Sequence, residues 1–252
     1  MLRQTLVIAR KETLDHLREV RSLGASFLHL LMGPLVISLV LFSLKSAPHA
    51  KVEPVAASMA SIFLLVATFV GGMNVAMDLL AGERERRSLL PLLLNPVSRG
   101  SVVIGKWLAT TLFAAAGVLL TFGAFALVFA IAGLPLPHFS AIVLGLLPLA
   151  ALGAAVQLTI STFCRTVKEA QTYLSMLVFL PMGVGMFVIF LAPHPASWVL
   201  AIPIVGQQAL LTATSFGLAT TMALLLSTIC CTALALQFST SLLHRDEIVY
   251  GR

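Results

Sequence analysis

Residues 55–88 read VAASMASIFLLVATFVGGMNVAMDLLAGERERRS, an apolar run that ends in a dense group of charges. About 20 consecutive apolar residues allow one α-helix to cross a bilayer. Arginines next to a membrane helix stay on the cytoplasmic side, so the charged end predicts the direction of this crossing. The stretch therefore predicts an integral membrane protein with a charged segment in the cytoplasm.

The composition of the whole chain agrees with this prediction. Hydrophobic residues make up 59% and charged residues 10% of the 252 residues, against roughly 45–50% and about 25% in soluble domains. The formal net charge of +6 does not indicate a nucleic-acid partner. The basic residues flank apolar runs instead of forming one patch, so orientation in the membrane and contact with lipid headgroups explain most of them.

The pattern of a run followed by basic residues recurs along the chain. Apolar runs predict six spans, at residues 23–44, 55–79, 103–133, 139–163, 171–192 and 214–243. Fourteen of the sixteen Lys and Arg residues lie at the N-terminus, in Arg84–Lys106, in Arg165–Lys168 or in the tail, and Lys45 and Lys51 share the loop after the first run. We therefore expect a multi-pass protein of the cell (inner) membrane with both termini in the cytoplasm.

The N-terminal segment, residues 4–22, predicts an amphipathic helix that lies in the membrane interface. Helical projection gives an apolar side with Leu6, Leu14, Leu17 and Val20 and a charged side with Lys11, Glu12, Asp15, Arg18 and Glu19. A plain cytoplasmic helix is the alternative. The apolar run that begins directly at Leu23 favours the interfacial position.

The connection 193–213 differs from the other loops because it is moderately apolar. Its stretch Val199–Leu211 is broken by Pro203 and Gly206 and is too short to cross the bilayer. We expect short half-helices that dip into the outer leaflet between spans 5 and 6. The predicted fold class is an all-α membrane protein with six transmembrane helices, the N-terminal interfacial helix and these outer half-helices. We expect one transmembrane domain over residues 1–252.

Motifs for catalysis or nucleotide binding are not convincing in this chain. Residues 100–107, GSVVIGKW, nearly match the phosphate-binding pattern G-x-x-x-x-G-K-[ST], but Trp107 stands where a hydroxyl is needed and no strand precedes the segment. We expect Lys106 and Trp107 to anchor the third span at the interface instead. The sequence has no H-E-x-x-H and no G-x-S-x-G, so we expect no catalytic residue, no metal site and no cofactor on this chain.

Polar side chains in or beside the spans are the candidates for a substrate path. They are Asn74, Asp78 and Gln157, with Gln207 and Gln208 at the outer entrance. An interhelical hydrogen bond is the more frequent role of such a residue.

Residues 78–100 combine a charged helix end, a short apolar helix and an Asn95-Pro96 turn. Such an element is expected to project from the membrane with its charges exposed and its leucines free to dock. Glu83 and Glu85 favour a binding role, because retention of positive charge alone requires no acidic residues among the arginines.

Several motifs here are similar to those of ABC-2 type permeases, and most of all to the sodium-efflux (NatB-like) branch. The first cytoplasmic loop resembles theirs in Gly82–Arg86, Pro91–Arg99 and Gly105–Leu108, and the second in Ser161–Tyr173. The start, Ala9–Glu12, and the end, Arg245–Ile248, are also similar. In two places the chain departs from this branch. It has Arg87-Ser88-Leu89-Leu90 where members read Gly-Thr-Leu-Glu, and only residues 45–54 fill the place of their usual large external domain.

The resemblance implies the permease subunit of an ATP-driven exporter. Two permease copies would pair, and a separate cytoplasmic ABC ATPase, which holds ATP and magnesium, would dock under each. The segments implied to contact the ATPase are 4–22, 82–99 and 164–171. Their coupling residues are Glu83, Arg84, Glu85, Arg86, Arg99, Arg165, Lys168, Glu169, Arg10, Lys11 and Glu12.

The sequence leaves the identity of the transported molecule open. The resemblance favours sodium, whereas the missing acidic residues in the middle of the spans favour a lipid, a peptide or a drug-like molecule. A secondary transporter that does not use ATP and a membrane scaffold without transport are the alternative functions. Membrane lipids are expected partners, and nucleic acid is not.

Overall fold

The computed structural model describes residues 2–44, 52–89, 91, 97–135, 142–190, 196, 198–212 and 217–245. Within these residues the chain is helical. The helices are α1 (Leu2–Arg18), α2 (Val20–Leu44), α3 (Val52–Met77), α4 (Arg99–Ala132), α5 (Leu147–Phe163), α6 (Val167–Phe190), α7 (Val205–Thr212) and α8 (Leu218–Leu242). A π-helical turn, Asp78–Gly82, and a short helix, Glu83–Glu85, extend α3, and a π-helical turn, Ile142–Leu146, precedes α5.

Six helices of the described part are long and apolar enough to cross a membrane, which confirms the predicted number of spans. The second of them reaches from Glu53 to Glu85, whereas the sequence predicted its end at residue 79. The π-helical turn explains the difference, because it carries the helix past Asp78 into the charged segment. Half-helices between spans 5 and 6 are also present, as the 3₁₀-helix Val199–Ala201 and α7.

The second and fourth spans form the centre of the bundle. Of the apolar windows of these spans, 56% and 61% are buried, against 22–33% in the other four. Small residues allow close packing here: a Cβ added at Gly71 would lie 3.1 Å from the backbone of Ala114, and one added at Gly72 would lie 3.0 Å from Thr110. The helices α3 and α4 therefore approach each other so closely that a larger residue at Gly71 or Gly72 would require the neighbouring atoms to shift by a few tenths of an ångström.

The N-terminal helix α1 packs its polar side against the protein. Thr5, Glu12 and His16 are buried, because α1 lies along α4. Its apolar side chains Leu2, Leu6, Val7, Leu14 and Leu17 point outward. This orientation suits the predicted position in the membrane interface, with the apolar side toward lipid. The helix predicted at residues 4–22 is interrupted at Glu19, so the exposed Val20 begins α2.

The bundle has two chemically different ends. At the end that we call the basic end, α1, the Asp78–Ser88 segment, the start of α4 and the α5–α6 connection come together. At the opposite end, α7 packs near the start of α5 and against α3 and α6. The loop residues 45–51, 136–141, 191–195 and 213–216, most of the predicted helix and turn at 90–96, and the tail 246–252 lie outside the described residues.

Candidate coupling site

A buried lysine lies at the centre of the basic end. Lys106 is 0% exposed, and its Nζ lies 2.7 Å from Oε1 of Glu83 and 3.4 Å from Oε1 of Glu12. It also donates a hydrogen bond of 2.8 Å to the carbonyl oxygen of Leu79. One cation thus joins α4, α1 and the end of α3, and the two carboxylates offset the cost of removing it from water.

This geometry corrects two expectations from the sequence. Lys106 does not anchor the third span at the interface, because its ammonium group is fully buried against Glu83. Trp107 is partly buried and donates its indole N–H to the carbonyl of Ala151 in α5, so it serves helix packing. Glu83 was expected to be exposed, but only 12% of its side chain is, because it pairs with Lys106.

Gly105 explains why α1 can reach this lysine. A Cβ added at Gly105 would lie 2.8 Å from Cβ of Ile8 and 3.0 Å from the carbonyl oxygen of Thr5. Such contacts are too close for any larger residue without a shift of α1. The residues that resemble a phosphate-binding loop therefore serve packing. Gly105 leaves space for α1, and Lys106 pairs with Glu12 of α1 and with Glu83 at the end of α3.

The π-helical turn Asp78–Gly82 is held by side chains from two neighbouring helices. The wider turn frees backbone groups from the usual helical pattern. Lys106 of α4 donates a hydrogen bond to the Leu79 carbonyl, and the amide of Ala81 donates to Oγ of Ser161 in α5 at 3.1 Å. These bonds fix the turn between the two helices that flank it.

The first and second predicted coupling segments contact each other directly. Arg84 donates through Nη1 to the carbonyl of Cys164 at 3.0 Å, and the amide of Val167 donates to Oε2 of Glu85 at 2.8 Å. The amide of Arg165 donates to Oε2 of Glu169 at 2.8 Å, and this bond lies at the start of α6. The charged end of α3 and the α5–α6 connection therefore form one unit.

The helix Glu83–Glu85 is followed two residues later by Arg87, which has a φ of 58°. This left-handed conformation closes the helix through a bond from the Ser88 amide to the Glu83 carbonyl at 2.8 Å. Glycine adopts such a conformation at little cost, whereas a residue with a Cβ does not. The chain thus uses arginine at a position whose backbone favours glycine.

A small polar cavity lies next to the lysine cluster. Its volume is about 210 Å³, and it is lined by Lys11, Glu12, Asp15, His16, Glu19, Asp78, Glu83, Arg86 and Ser88. Nη1 of Arg86 lies 2.8 Å from Oδ1 of Asp78, and this hydrogen bond raises the pKa of Arg86. Burial lowers and the carboxylates of Glu12, Asp15 and Glu83 raise the pKa of Lys11, with a net upward shift. Both cations therefore stay protonated near neutral pH.

The predicted coupling residues fall into exposed and buried groups. Exposed are Arg10, Lys11, Glu85, Arg86, Arg165, Lys168 and Glu169. Glu12 is buried, Glu83, Arg84 and Arg99 are partly buried, and Arg99 donates to the Leu243 carbonyl at the end of α8. Cys164 lies between the segments, and burial raises the pKa of its thiol to about 11.

The predicted path residues make contacts that join helices. Asn74 donates to Oγ of Ser26 at 2.8 Å, and Gln157 donates to the carbonyl of Phe69. Gln208 of α7 donates to Oγ of Ser61 in α3 at 2.8 Å. Gln207 donates to Oγ1 of Thr228 at 2.9 Å and accepts from the amide of Ile204. Asp78 instead belongs to the ionic cluster at the basic end.

Sequence reasoning missed that Lys106, Glu12 and His16 lie together. A signal was available, because Lys106 falls inside the predicted span 103–133, and an ionisable residue within a span needs a partner. His16 had no such signal, since its burial depends on the rotation of α1 about its axis.

Comparison with known proteins identifies the class of this bundle. The ABC-2 family of transporter proteins matches residues 6–248, so the chain belongs to that family. It is 36% identical to the ABC transporter permease protein NatB of Bacillus subtilis over 175 residues, which are 62% of this chain and 44% of that protein.

Two further relatives are named as probable ABC transporter permease proteins NosY. The protein from Pseudomonas aeruginosa is 36% identical over 123 residues, 48% of this chain and 43% of that protein. The protein from Stutzerimonas stutzeri is 32% identical over 133 residues, 52% of this chain and 47% of that protein. The matched region spans less than half of each of these relatives. The similarity to NatB and NosY confirms the predicted resemblance to ABC-2 permeases of the NatB-like branch.

Proposed function

We propose that this permease works as one half of an ATP-driven exporter. Two copies of the chain pair in the inner membrane, with both termini in the cytoplasm. A separate ABC ATPase binds the basic end of each copy and hydrolyses ATP with magnesium. ATP binding and hydrolysis then change the packing of the spans and release the substrate outside the cell.

The contact between the two coupling segments is the observation that supports this proposal best. Arg84 and Glu85 at the end of α3 bond to the α5–α6 connection. A partner that pushes on either segment would therefore move the second, fourth and fifth spans together. Rigid-body movement of packed helices is a common way to transmit such a change.

The exposed charges of the same unit suit reversible docking. Arg165 is exposed on the α5–α6 connection, and Lys168 and Glu169 are exposed in the first turn of α6, next to Glu85. A mixture of exposed charges fixes the orientation of a partner and speeds its association without permanent adhesion. We assign Glu83 an indirect part in coupling, because its carboxylate pairs with Lys106. Its role is to hold the unit in position.

For the transported molecule we favour an apolar compound over sodium. A cavity of about 540 Å³ opens between α3 and α6, lined by apolar side chains that include Met59, Phe63, Met182 and Phe190. The ten acidic residues of the chain lie outside the central parts of the spans. Such a lining suits a lipid, an apolar peptide or a drug-like molecule and offers few ligands to a small cation.

The test is coexpression with an ABC ATPase from the same genome, followed by copurification and ATP hydrolysis in nanodiscs. Charge reversal in Arg165→Glu/Lys168→Glu should lower assembly or ATP turnover at least tenfold, since close like charges at an interface cost several kcal/mol and about 1.4 kcal/mol is a factor of ten. Lys45→Glu/Lys51→Glu is the matched control and should change turnover less than twofold.

Normal assembly and turnover of Arg165→Glu/Lys168→Glu would exclude residues 164–171 as a coupling segment. A permease that copurifies with no ATPase and stimulates no hydrolysis would favour the scaffold alternative. Stimulation by sodium chloride but not by potassium chloride or apolar compounds would reverse the preference for an apolar substrate. Cysteine labelling from outside should modify a Cys placed at Lys51 or His138 and spare one at Arg86 or Lys168.

A further inference from the structure

His16 occupies an unusual position between two carboxylates from different helices. It is 4% exposed, and its Nδ1 lies 3.8 Å from Oε2 of Glu19, the residue that follows α1. Its Nε2 lies 3.8 Å from Oδ2 of Asp78 in the π-helical turn. Both distances are too long for a hydrogen bond. Among the described residues, Nδ1 has no hydrogen-bond partner at all.

We propose that His16, Glu19 and Asp78 form a binding site for a divalent transition-metal ion such as Zn²⁺. One nitrogen or oxygen atom from each of these three residues lies within 4.8 Å of the other two. Zinc takes imidazole and carboxylate ligands at about 2.0–2.2 Å in a tetrahedral arrangement, which sets its ligand atoms roughly 3.4 Å apart. Only one imidazole nitrogen can bind a given ion, so the carboxylate that faces the other nitrogen must turn toward the shared position. The ligand atoms, which lie within 4.8 Å of one another, must come to about 3.4 Å, and water completes the coordination.

The charge of the surrounding cavity favours a cation. Five carboxylates line it, namely those of Glu12, Asp15, Glu19, Asp78 and Glu83. The cations are Lys11 and Arg86 in the lining and Lys106 behind it. Five negative against three positive charges leave two negative charges in excess, in a chain whose formal net charge is +6.

Neighbouring side chains orient two of the proposed ligands. Arg86 holds Oδ1 of Asp78 at 2.8 Å, which leaves Oδ2 directed at the histidine. The ring of Phe113 meets the His16 ring edge-to-face, with centroids 6.1 Å apart and planes at 78°. Such outer contacts fix ligand orientation and are typical of metal sites.

The mixed ligand set decides the class of ion. Imidazole with carboxylates suits Zn²⁺ and similar transition metals, whereas Mg²⁺ and Ca²⁺ prefer oxygen ligands alone. An ion at this place would join α1 to the end of α3, next to the Lys106 cluster. The site is independent of the ATPase and of the substrate, so its test does not depend on the proposed function.

The experiment measures metal binding by the full chain, purified in detergent through a tag that contains no histidine. Co²⁺ serves as the probe because its visible absorption reports on nitrogen and oxygen ligands, and Zn²⁺ should displace it. The wild type should bind about one Co²⁺ per chain. His16→Gln and Glu19→Gln should each weaken binding at least tenfold, and Asp15→Asn, which removes cavity charge but no ligand atom, should weaken it much less than either.

Thermal unfolding separates a lost site from a lost fold. Zn²⁺ should raise the Tm of the wild type and of Asp15→Asn but leave that of Glu19→Gln unchanged, while the metal-free Tm values agree. The Glu19 side chain is 56% exposed, so its substitution leaves the core intact if His16→Gln does not fold. Substoichiometric Co²⁺ binding by the wild type, or wild-type affinity in Glu19→Gln, would overturn the proposal. A wild type that binds no Co²⁺ would likewise show that the three side chains do not form a metal site.

Discussion

The two ends of the bundle are held together by different chemistry. At the basic end, a fully buried cation joins three segments through two carboxylates. At the opposite end, Gln207 and Gln208 of α7 join α8 and α3 through neutral hydrogen bonds of 2.9 and 2.8 Å. Buried charges cost much when their partner is lost, whereas neutral hydrogen bonds inside a membrane protein contribute about 0.6 kcal/mol on average. The comparison therefore predicts that the basic end is the more sensitive to single substitutions.

Loss of the buried cation should have the largest effect. Lys106→Met leaves Glu83 and Glu12 without their shared counterion, and breaking a buried ion pair costs about 3–5 kcal/mol. We expect a large decrease in the thermal unfolding temperature of the purified protein. Lys168→Met is the control, because Lys168 is exposed, and it should change stability by less than about 0.5 kcal/mol.

A double variant sharpens this result. Lys106→Met/Glu83→Gln removes the strongest partner charge as well, so it should be more stable than Lys106→Met alone. If the single and double variants were equally stable, the unpaired Glu83 would not be the cause of the destabilisation in Lys106→Met.

The opposite end should be most sensitive to steric change. A Cβ at Gly206 would lie 2.1 Å from the carbonyl oxygen of Leu200, a backbone atom that cannot move away by a change of side-chain rotamer. Gly206→Ala should therefore destabilise the protein by about 1–3 kcal/mol, the usual cost of overpacking. Gly183→Ala provides the control, since nothing lies within 4 Å of its added Cβ. An unchanged unfolding temperature in Gly206→Ala would show that α7 and the 3₁₀-helix separate easily.

Removal of a neutral hydrogen bond should have a smaller effect. Gln208→Leu deletes the bond to Ser61 and should cost about 0.6–1.7 kcal/mol. Ser61→Ala should cost a similar amount, and the double variant should cost less than the two together, because both remove the same bond. A cost for Gln208→Leu as large as that for Lys106→Met would contradict the difference between the two ends.

The smallest expected change is a gain in stability at the basic end. Arg87 has a φ of 58°, which glycine adopts without the steric cost of a Cβ. Arg87→Gly should stabilise the protein by up to about 1 kcal/mol, whereas Arg87→Ala keeps the Cβ and should give no gain. Equal unfolding temperatures of these two variants would show that the Cβ at position 87 does not destabilise the left-handed conformation.

The sequence predicted the spans well because hydropathy and positive charge act locally. It also predicted that interhelical hydrogen bonding is the more frequent role of residues such as Gln157, and the described contact with Phe69 is of this kind. The environment of Lys106 was not predictable in the same way. Its burial requires that α1, the end of α3 and α4 converge, and no local pattern records this convergence.

The π-helical turn at the end of α3 has a consequence for how this segment can vary in length. The amide of Glu83 bonds to the carbonyl of Asp78, five residues earlier, so the turn holds one residue more than an α-helix would. Deleting a single residue from Leu79–Gly82 would restore the ordinary helical period, because the amide of Glu83 would keep its bond to the carbonyl of Asp78, then four residues earlier. Glu83 and Arg84 would keep their directions toward Lys106 and Cys164. A deletion elsewhere in α3 would instead rotate everything beyond it by about 100° and separate these contacts. We therefore expect evolution to tolerate the loss of one residue in this stretch more readily than elsewhere in the helix.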